Sequence, residues 1–272
     1  MNKVILKTVG FFKLYRPDVP VIVFLGTFAG RVFTTGFSVF VIFEALFLSL
    51  FPYNFVYTLN SITDVTEDSI NKPGRPIPSG LITKNEALIW LLFLTVISVS
   101  GISLIFKGVE MFLAFLIILL GFSYSMPPLV IKKRALLAPV ITGWGVTHPL
   151  FITGGTALFL FSSSVMLHAI GTTSLKDLTD IEGDTAAGRK TISSTKGIPS
   201  AITMSLIFKI SSIILFQFTQ HKIASIIPLL SIFVVLHHYF YLRKDFVRVI
   251  YKRTIWTTAA LSVFVIAYVQ LF

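Results

Sequence analysis

The sequence predicts an all-α fold that crosses a membrane many times, and three observations carry that expectation. Hydrophobic residues make up 54% of the 272 residues and charged residues only 13%, with a mean hydropathy of +0.85. A water-soluble domain carries roughly twice that share of charge. Apolar stretches of about 20 residues, enough to span the hydrocarbon core as a helix, recur along the whole chain. The basic residues, finally, are sorted between alternate loops, as the inside preference of Lys and Arg requires.

Taken in order, the elements begin with a basic, amphipathic segment. Lys3, Lys7 and Lys13 interrupt it, while Phe11, Phe12 and Leu14 offer an apolar side. That pattern predicts a helix on the membrane surface leading into the first span, not a cleaved leader. Nine spans are then expected, over 19–36, 37–59, 86–105, 110–126, 135–152, 155–176, 198–218, 222–241 and 254–272. The loops between them are mostly short, so the chain reads as one integral-membrane domain over 1–272. If the N-terminus is cytoplasmic, 19 of the 23 Lys and Arg residues fall on the inside and three, Arg31, Lys107 and Lys222, on the outside. Membrane topology therefore accounts for the net charge of +11, and no nucleic-acid motif accompanies it. Lys209 lies within the seventh span and reads as snorkelling or paired; Glu44, within the second, has no role in the sequence pattern. His148, His168, His237 and His238 lack ligand spacing and read as polar packing residues. With no cysteine in the chain, disulfides, thiolate catalysis and thiolate metal sites are excluded.

Seven of the twelve acidic residues sit in two windows. The first runs Asn60-Ser-Ile-Thr-Asp64-Val-Thr-Glu67-Asp68 and continues as Asn71-Lys72-Pro-Gly-Arg75-Pro-Ile-Pro-Ser79-Gly80. The second runs Lys176-Asp177-Leu-Thr-Asp180-Ile-Glu182-Gly-Asp184 and continues to Gly188-Arg189-Lys190. Both fall on the predicted cytoplasmic side. Carboxylates beside a membrane are costly unless a cation holds them, which points to a metal or proton site. On a helix, Asn60, Asp64 and Asp68 share one face, as do Asp177, Asp180 and Asp184. Glu67 and Glu182 point off those faces and are expected to be solvent-facing or outside the ligand set. Two opposed carboxylate stripes supply hard oxygen ligands for Mg²⁺, which takes one or two carboxylates and completes its shell with water and phosphate. Proline stiffness around Arg75 would hold its planar fork for phosphate oxygens, with Lys72 beside it; Arg189 and Lys190 follow the second stripe in the same way. The offset from Asp64 to Asp180 equals that from Asp68 to Asp184, a hint of duplication.

A third group is Tyr124-Ser125-Met-Pro127-Pro128, with Lys132, Lys133 and Arg134 beyond it. The prolines end the fourth span and leave Tyr124 and Ser125 on its last turn. A tyrosine there can face a cationic carbon with its ring or a leaving group with its hydroxyl, although an interfacial tyrosine is the plainer alternative.

In these residues the chain resembles the UbiA superfamily of intramembrane prenyltransferases. The Asn60 start, the Lys-Pro-Gly-Arg-Pro-Ile-Pro-Ser-Gly tail, the Lys-Asp-x-x-Asp-x-x-Gly-Asp second motif and the Tyr-Ser-x-Pro-Pro turn carry the resemblance, which covers nearly the whole chain. It implies nine helices around a central cavity capped on the cytoplasmic side. It also implies Mg²⁺ held by both motifs and a prenyl diphosphate donor. Carried over by position, Asn60, Asp64 and Asp68 form the first metal–diphosphate motif and Asp177, Asp180 and Asp184 the second. Lys72, Arg75 and Lys176 become diphosphate contacts, with Tyr124 near the reacting carbon; Ser125 and Arg189 join the substrate-binding set, and Asp64, Asp68, Asp180, Asp184 and Tyr124 the catalytic one. Ser61 departs from the pattern, because many members have Asp there. The expected reaction is Mg²⁺-dependent prenyl transfer within the membrane, releasing diphosphate. An aromatic or quinone-precursor acceptor is favoured. A glyceryl-phosphate acceptor, or cyclisation of the donor without an acceptor, stays open, and a cation-coupled transporter is the remote alternative.

Overall fold

A computed structural model describes residues 3–16 and 18–241. Among these residues the regular structure is helical throughout, in the order α1 (Lys3–Leu14), α2 (Asp18–Thr35), α3 (Val39–Leu50), α4 (Pro52–Thr63), α5 (Val65–Asn71), α6 (Lys84–Ile105), α7 (Gly108–Ser125), α8 (Leu137–Gly154), α9 (Phe159–Thr173), α10 (Ile181–Ala186), α11 (Ile192–Phe216) and α12 (Ile226–Tyr241). Short 3₁₀ turns cover Ile131–Lys133, Lys176–Thr179 and Lys222–Ser225. Eight of the nine expected spans fall on these helices. The ninth, 254–272, lies outside the described residues, as do Arg243, Lys244, Arg248, Lys252 and Arg253. Five helical stretches among the described residues are long and apolar enough to cross a membrane: Asp18–Thr35, Val39–Thr63, Lys84–Ile105, Gly108–Ser125 and Ile192–Phe216. Their outward faces carry exposed Ile89, Leu92, Phe112, Leu119, Ile207 and Ile214. Such apolar exposure suits lipid, not water.

The chain divides into two compact units. The first comprises Met1–Lys133 and Glu182–Arg189. Within it α4 packs against α3, α6 and α7, with Phe55 and Leu59 meeting Leu94 in one buried cluster. Pro52 opens α4 at a position where the missing N–H costs nothing. The α6 helix starts at a reciprocal cap, in which Thr83 and Glu86 each satisfy the other's backbone N–H. The N-terminal helix α1 lays Leu14 and Phe11 against Ile62, Ile82 and Ala87, and its Lys7 pairs with Glu86. Phe12 is 76% exposed, so the packed face is narrower than the three-residue side expected. Glu44 acquires a partner: Arg31 on α2 holds it at 2.9 Å and holds Glu110 on α7 at 2.8 Å. That clamp joins three helices and accounts for an acid the sequence left unexplained.

The second unit comprises Arg134–Ile181 and Lys190–Phe272. Here α9 packs between α8 and α11, and α12 packs on α11. Thr191 and Ser194 cap α11 reciprocally, and the helix is broken at Gly197 (φ 81°, ψ 172°), just before the apolar run expected from 198. His148 and His168 are buried, in line with packing roles. Lys209 does not snorkel. It is wholly buried and donates to the Thr172 hydroxyl at 2.8 Å.

Candidate active site

The first aspartate stripe is not one continuous helix. The α4 helix stops at Thr63, Asp64 occupies a single-residue break (φ −100°, ψ 13°) and α5 resumes at Val65. Hydrogen bonds from Asp64 N to Asn60 O (2.9 Å) and from Asp68 N to Asp64 O (2.8 Å) nonetheless keep the helical spacing across the break. The second stripe is corrected in the same way: a 3₁₀ turn carries Asp177, Asp180 is the break (φ −118°, ψ 12°) and α10 carries Asp184. Asp64 and Asp180 therefore share one backbone state, in the sparsely populated bridge region where active-site residues often sit. This matching geometry adds to the equal offsets of the two motifs.

In the first unit a polar network connects most of the residues singled out by the sequence. Asp64 is buried and pairs with Lys132, whose ammonium also donates to the Thr63 hydroxyl at 2.9 Å. Asp68 pairs with Arg75, delivered by the turn-rich 72–83 segment. The Ser125 hydroxyl donates to Asn60 Oδ1 at 3.4 Å. Arg189 ties the group together: it donates to the Lys132 carbonyl at 2.8 Å, to Asp184 Oδ1 at 3.4 Å and to the Tyr124 hydroxyl at 3.4 Å. Asp184 itself is only 1% exposed. Lys72 is half-buried, and its carbonyl accepts from the Arg75 backbone N–H at 3.0 Å. In the second unit Lys176 lies 3.7 Å from Asp177, the Ser193 hydroxyl donates to the Asp177 carbonyl at 3.1 Å, and Asp180 is buried.

The local fold explains how Arg189 reaches its partners. After α10, the Gly188 N–H donates to the Thr185 carbonyl (3.0 Å) and the Arg189 N–H to the Asp184 carbonyl (2.7 Å). Those two bonds, with Gly188 at φ +67°, make a Schellman turn that folds Arg189 back over Asp184. At the other end of α10 the Gly183 N–H donates to Asn71 Oδ1 at 2.9 Å, and a Cβ on Gly183 would lie 2.6 Å from Asn71 Cγ. Gly188→Ala should therefore cost about 1–2 kcal/mol of local strain and raise the KM for an anionic substrate several-fold. An unchanged KM in steady-state kinetics would show that this turn does not position Arg189.

Three features escaped the sequence. Lys132 was one of a basic triplet, yet it is 3% exposed and holds the first-motif aspartate. Arg16 places its guanidinium 5.1 Å from the centre of the Tyr57 ring, a cation–π arrangement. Its Nε is buried and has no hydrogen-bond partner among the described residues. Burial holds the Arg75 guanidinium below its usual range, the like charge of Arg16 acts in the same direction, and Asp68 opposes both. An anion beside the two arginines would relieve that repulsion. Glu67, expected to face solvent or lie outside the ligand set, is buried (6% exposed), whereas Glu182 is exposed as expected. The only detectable hint of Lys132 was its position seven residues beyond Ser125, on the same turn-rich stretch.

Among the described residues, no three His, Asp or Glu side chains converge as a metal cage. The three carboxylates Asp64, Asp68 and Asp184 face chain cations instead. The donor chemistry fits Mg²⁺ even so: the buried aspartates are all hard oxygen donors, the chain has no thiol, and Mg²⁺ bound through one or two carboxylates leaves its other positions to water and phosphate.

The sequence pattern of the UbiA prenyltransferase family matches residues 19–258. Chlorophyll synthase of rice (Oryza sativa subsp. japonica) is 28% identical over 160 residues, a match covering 54% of this chain and 43% of that protein. Digeranylgeranylglyceryl phosphate synthase of Methanoregula boonei is 28% identical over 200 residues, covering 70% and 69% respectively. The chain thus spans less than half the length of the plant relative it matches. Among solved structures, a UbiA homologue from Archaeoglobus fulgidus bound to GPP and Mg²⁺ superposes with a TM-score of 0.74 at 16% identity, over 95% of this chain and 99% of that one. At that identity the likeness speaks for the fold. The family pattern, by contrast, runs through both aspartate motifs, the proline-rich tail and the Tyr124 turn, and the chain belongs to the UbiA prenyltransferase family.

Proposed function

We propose that the chain is a Mg²⁺-dependent intramembrane prenyltransferase. It would act as one domain over 1–272, with nine membrane helices around a central cavity and a cap on the cytoplasmic side. The observation that carries the reading is the alternation of buried carboxylate and chain cation, Asp64 with Lys132, Asp68 with Arg75 and Asp184 with Arg189. A metal–diphosphate pair offers opposite charge to both members of each couple.

In this reading Asn60, Asp64, Asp68, Asp177, Asp180 and Asp184 hold the metal. Mg²⁺ bound there supplies neutralisation of the leaving diphosphate. Arg75, Arg189, Lys72, Lys176 and Lys132 add charge-assisted hydrogen bonds to its oxygens, and Arg16 lies beside Arg75 for the same purpose. The bond from the allylic carbon to oxygen breaks, and its electron pair leaves with the diphosphate. An acceptor atom forms the new bond to that carbon and gives up its proton. Tyr124, held by Arg189, presents its ring or hydroxyl near the reacting carbon, and the apolar helices exclude the water that would otherwise capture it. An aromatic or quinone-precursor acceptor is favoured by the Tyr124-Ser125-x-Pro-Pro turn. A glyceryl phosphate is the second reading, favoured by the 70% coverage of this chain in the match to the Methanoregula boonei synthase. Incubation with radiolabelled prenyl diphosphates and both acceptor classes separates them by product.

The mouth of the site should face the cytoplasm, with the N-terminus inside and Phe272, outside the described residues, on the far side. The motivation is the 19-to-3 bias of Lys and Arg. Ser79 and Thr185 are exposed, so Ser79→Cys and Thr185→Cys in this cysteine-free chain should react with an impermeant maleimide from the cytoplasmic side, and Lys107→Cys from the other. Labelling of Ser79→Cys and Thr185→Cys from opposite sides would defeat both the topology and the shared metal site.

A further inference from the structure

Lys209 sits in a membrane-spanning helix without a counter-charge among the described residues. Its side chain is wholly buried, and among the described residues its ammonium meets only the neutral Thr172 hydroxyl, at 2.8 Å. An ammonium carries three donors, and burying its charge within a membrane costs several kcal/mol unless an anion compensates. Thr172 offers one hydrogen bond and no charge. A helix-to-helix tie alone would need no lysine.

The surroundings are polar in an ordered way. One turn before Lys209 on α11, the Ser205 hydroxyl is buried and has no hydrogen-bond partner among the described residues. One turn before Thr172 on α9 is His168, also buried, whose carbonyl accepts from the Thr172 hydroxyl at 3.0 Å. The α9 and α11 helices can approach here because residue 171 is glycine: a Cβ would lie 2.7 Å from the Ser205 carbonyl and 3.1 Å from Lys209 Cγ. The same end of α9 continues through buried Thr173 and Ser174 to Asp177 of the second motif, five residues beyond Thr172. A basic, hydroxyl-lined spot thus lies in the unit that carries Asp177 and Asp180, close in sequence to both.

We propose that Lys209 and Ser205, with Thr172 and His168 around them, form a subsite for an anionic group, a carboxylate or a phosphate, on the acceptor. The two remaining Lys209 donors and the Ser205 hydroxyl match the oxygens of such a head, and its charge cancels the buried ammonium. The proposal rests on the prenyltransferase reading, and it assigns the polar end of the acceptor to the second unit.

The test uses the full-length protein in nanodiscs and equilibrium binding of radiolabelled probe pairs that differ only in charge. One pair is an alkyl-substituted hydroxybenzoate and its methyl ester; the other is a glyceryl-ether phosphate and the corresponding glyceryl ether. At least one charged probe should bind about tenfold or more tighter than its neutral twin, and the pair showing the preference identifies carboxylate or phosphate as the head. Lys209→Met should bring the twins within about twofold, while Lys209→Arg retains much of the preference. A buried charge replaced by an apolar side chain of similar size is well tolerated by a fold, and a melting curve for each variant checks this directly. Equal binding of both twins by the wild type, or a preference that survives Lys209→Met, overturns the subsite. Mg²⁺-dependent diphosphate release from geranyl diphosphate, measured on the same wild-type sample, reports on the parent reading separately. Release without anion preference removes the subsite alone. An anion preference abolished by Lys209→Met but without release keeps the anion site while overturning the transferase reading and, with it, the assignment of that site to an acceptor.

Discussion

Asp64→Asn and Asp180→Asn should each lower turnover by about 10³-fold or more while leaving a folded protein in the membrane. The expected size reflects loss of charge where the leaving group is neutralised, a contribution worth several kcal/mol in comparable sites. Asparagine is the informative replacement at position 64. Lys132 is buried against that carboxylate, and an amide oxygen still accepts from it. Asp64→Ala would strand the ammonium, at about 3–5 kcal/mol, and mix a folding defect with a chemical one. Glu67→Ala should damage turnover far less, because residue 67 lies off the face shared by Asn60, Asp64 and Asp68; its burial predicts a cost in stability instead. Turnover and melting temperature measured on the same preparations separate the two effects. Equal loss of turnover in Glu67→Ala and Asp64→Asn would discard the assignment of faces.

Arg75→Ala should lower kcat/KM for the prenyl diphosphate by about 10²-fold or more, and Arg75→Lys should recover only part of it. Arg75 is fixed from three directions. The Lys72 carbonyl accepts its backbone N–H, its own carbonyl accepts from Ser79 at 2.9 Å, and Asp68 holds its guanidinium. The prolines on either side limit where that fork can go. A charge-assisted bidentate contact to diphosphate is therefore set in advance, and a lysine cannot reproduce its planar geometry. Steady-state kinetics with the donor varied provide the check. An Arg75→Lys variant matching the wild type would mean that Arg75 serves only as a charge.

Much of the fold was legible because membrane helices announce themselves by length and composition. Pro127 and the Thr83–Glu86 cap lie where residue type alone marks a helix end, whereas the expected 37–59 span is divided at Pro52, which closes α3 and opens α4. The aspartate spacing was equally legible, since hydrogen bonds across Asp64 preserve a four-residue step. What periodicity cannot carry is pairing between distant segments. Lys132 and Asp64 are 68 residues apart, and Gly183 and Asn71 are 112 apart. Nothing local in either segment encodes such a partnership. The breaks at Asp64 and Asp180 were hidden for another reason: aspartate is compatible with both a helix and the bridge region, so its identity does not reveal the backbone state. For Lys209 the sequence left snorkelling and pairing open, because a lysine in an apolar run can reach the interface, and only the packing of α9 on α11 selects the buried bond to Thr172.

In the proposed reaction, buried oxygen donors on this chain hold Mg²⁺ and direct it at a prenyl diphosphate. The most direct measurement is release of diphosphate from radiolabelled geranylgeranyl diphosphate by the purified protein in nanodiscs, with an acceptor panel present, before and after excess EDTA. Turnover should fall to background with the chelator, return on addition of Mg²⁺ and remain at background in Asp64→Asn at any Mg²⁺ concentration. Undiminished turnover in excess chelator, or no release from any prenyl diphosphate with Mg²⁺ present, would contradict it.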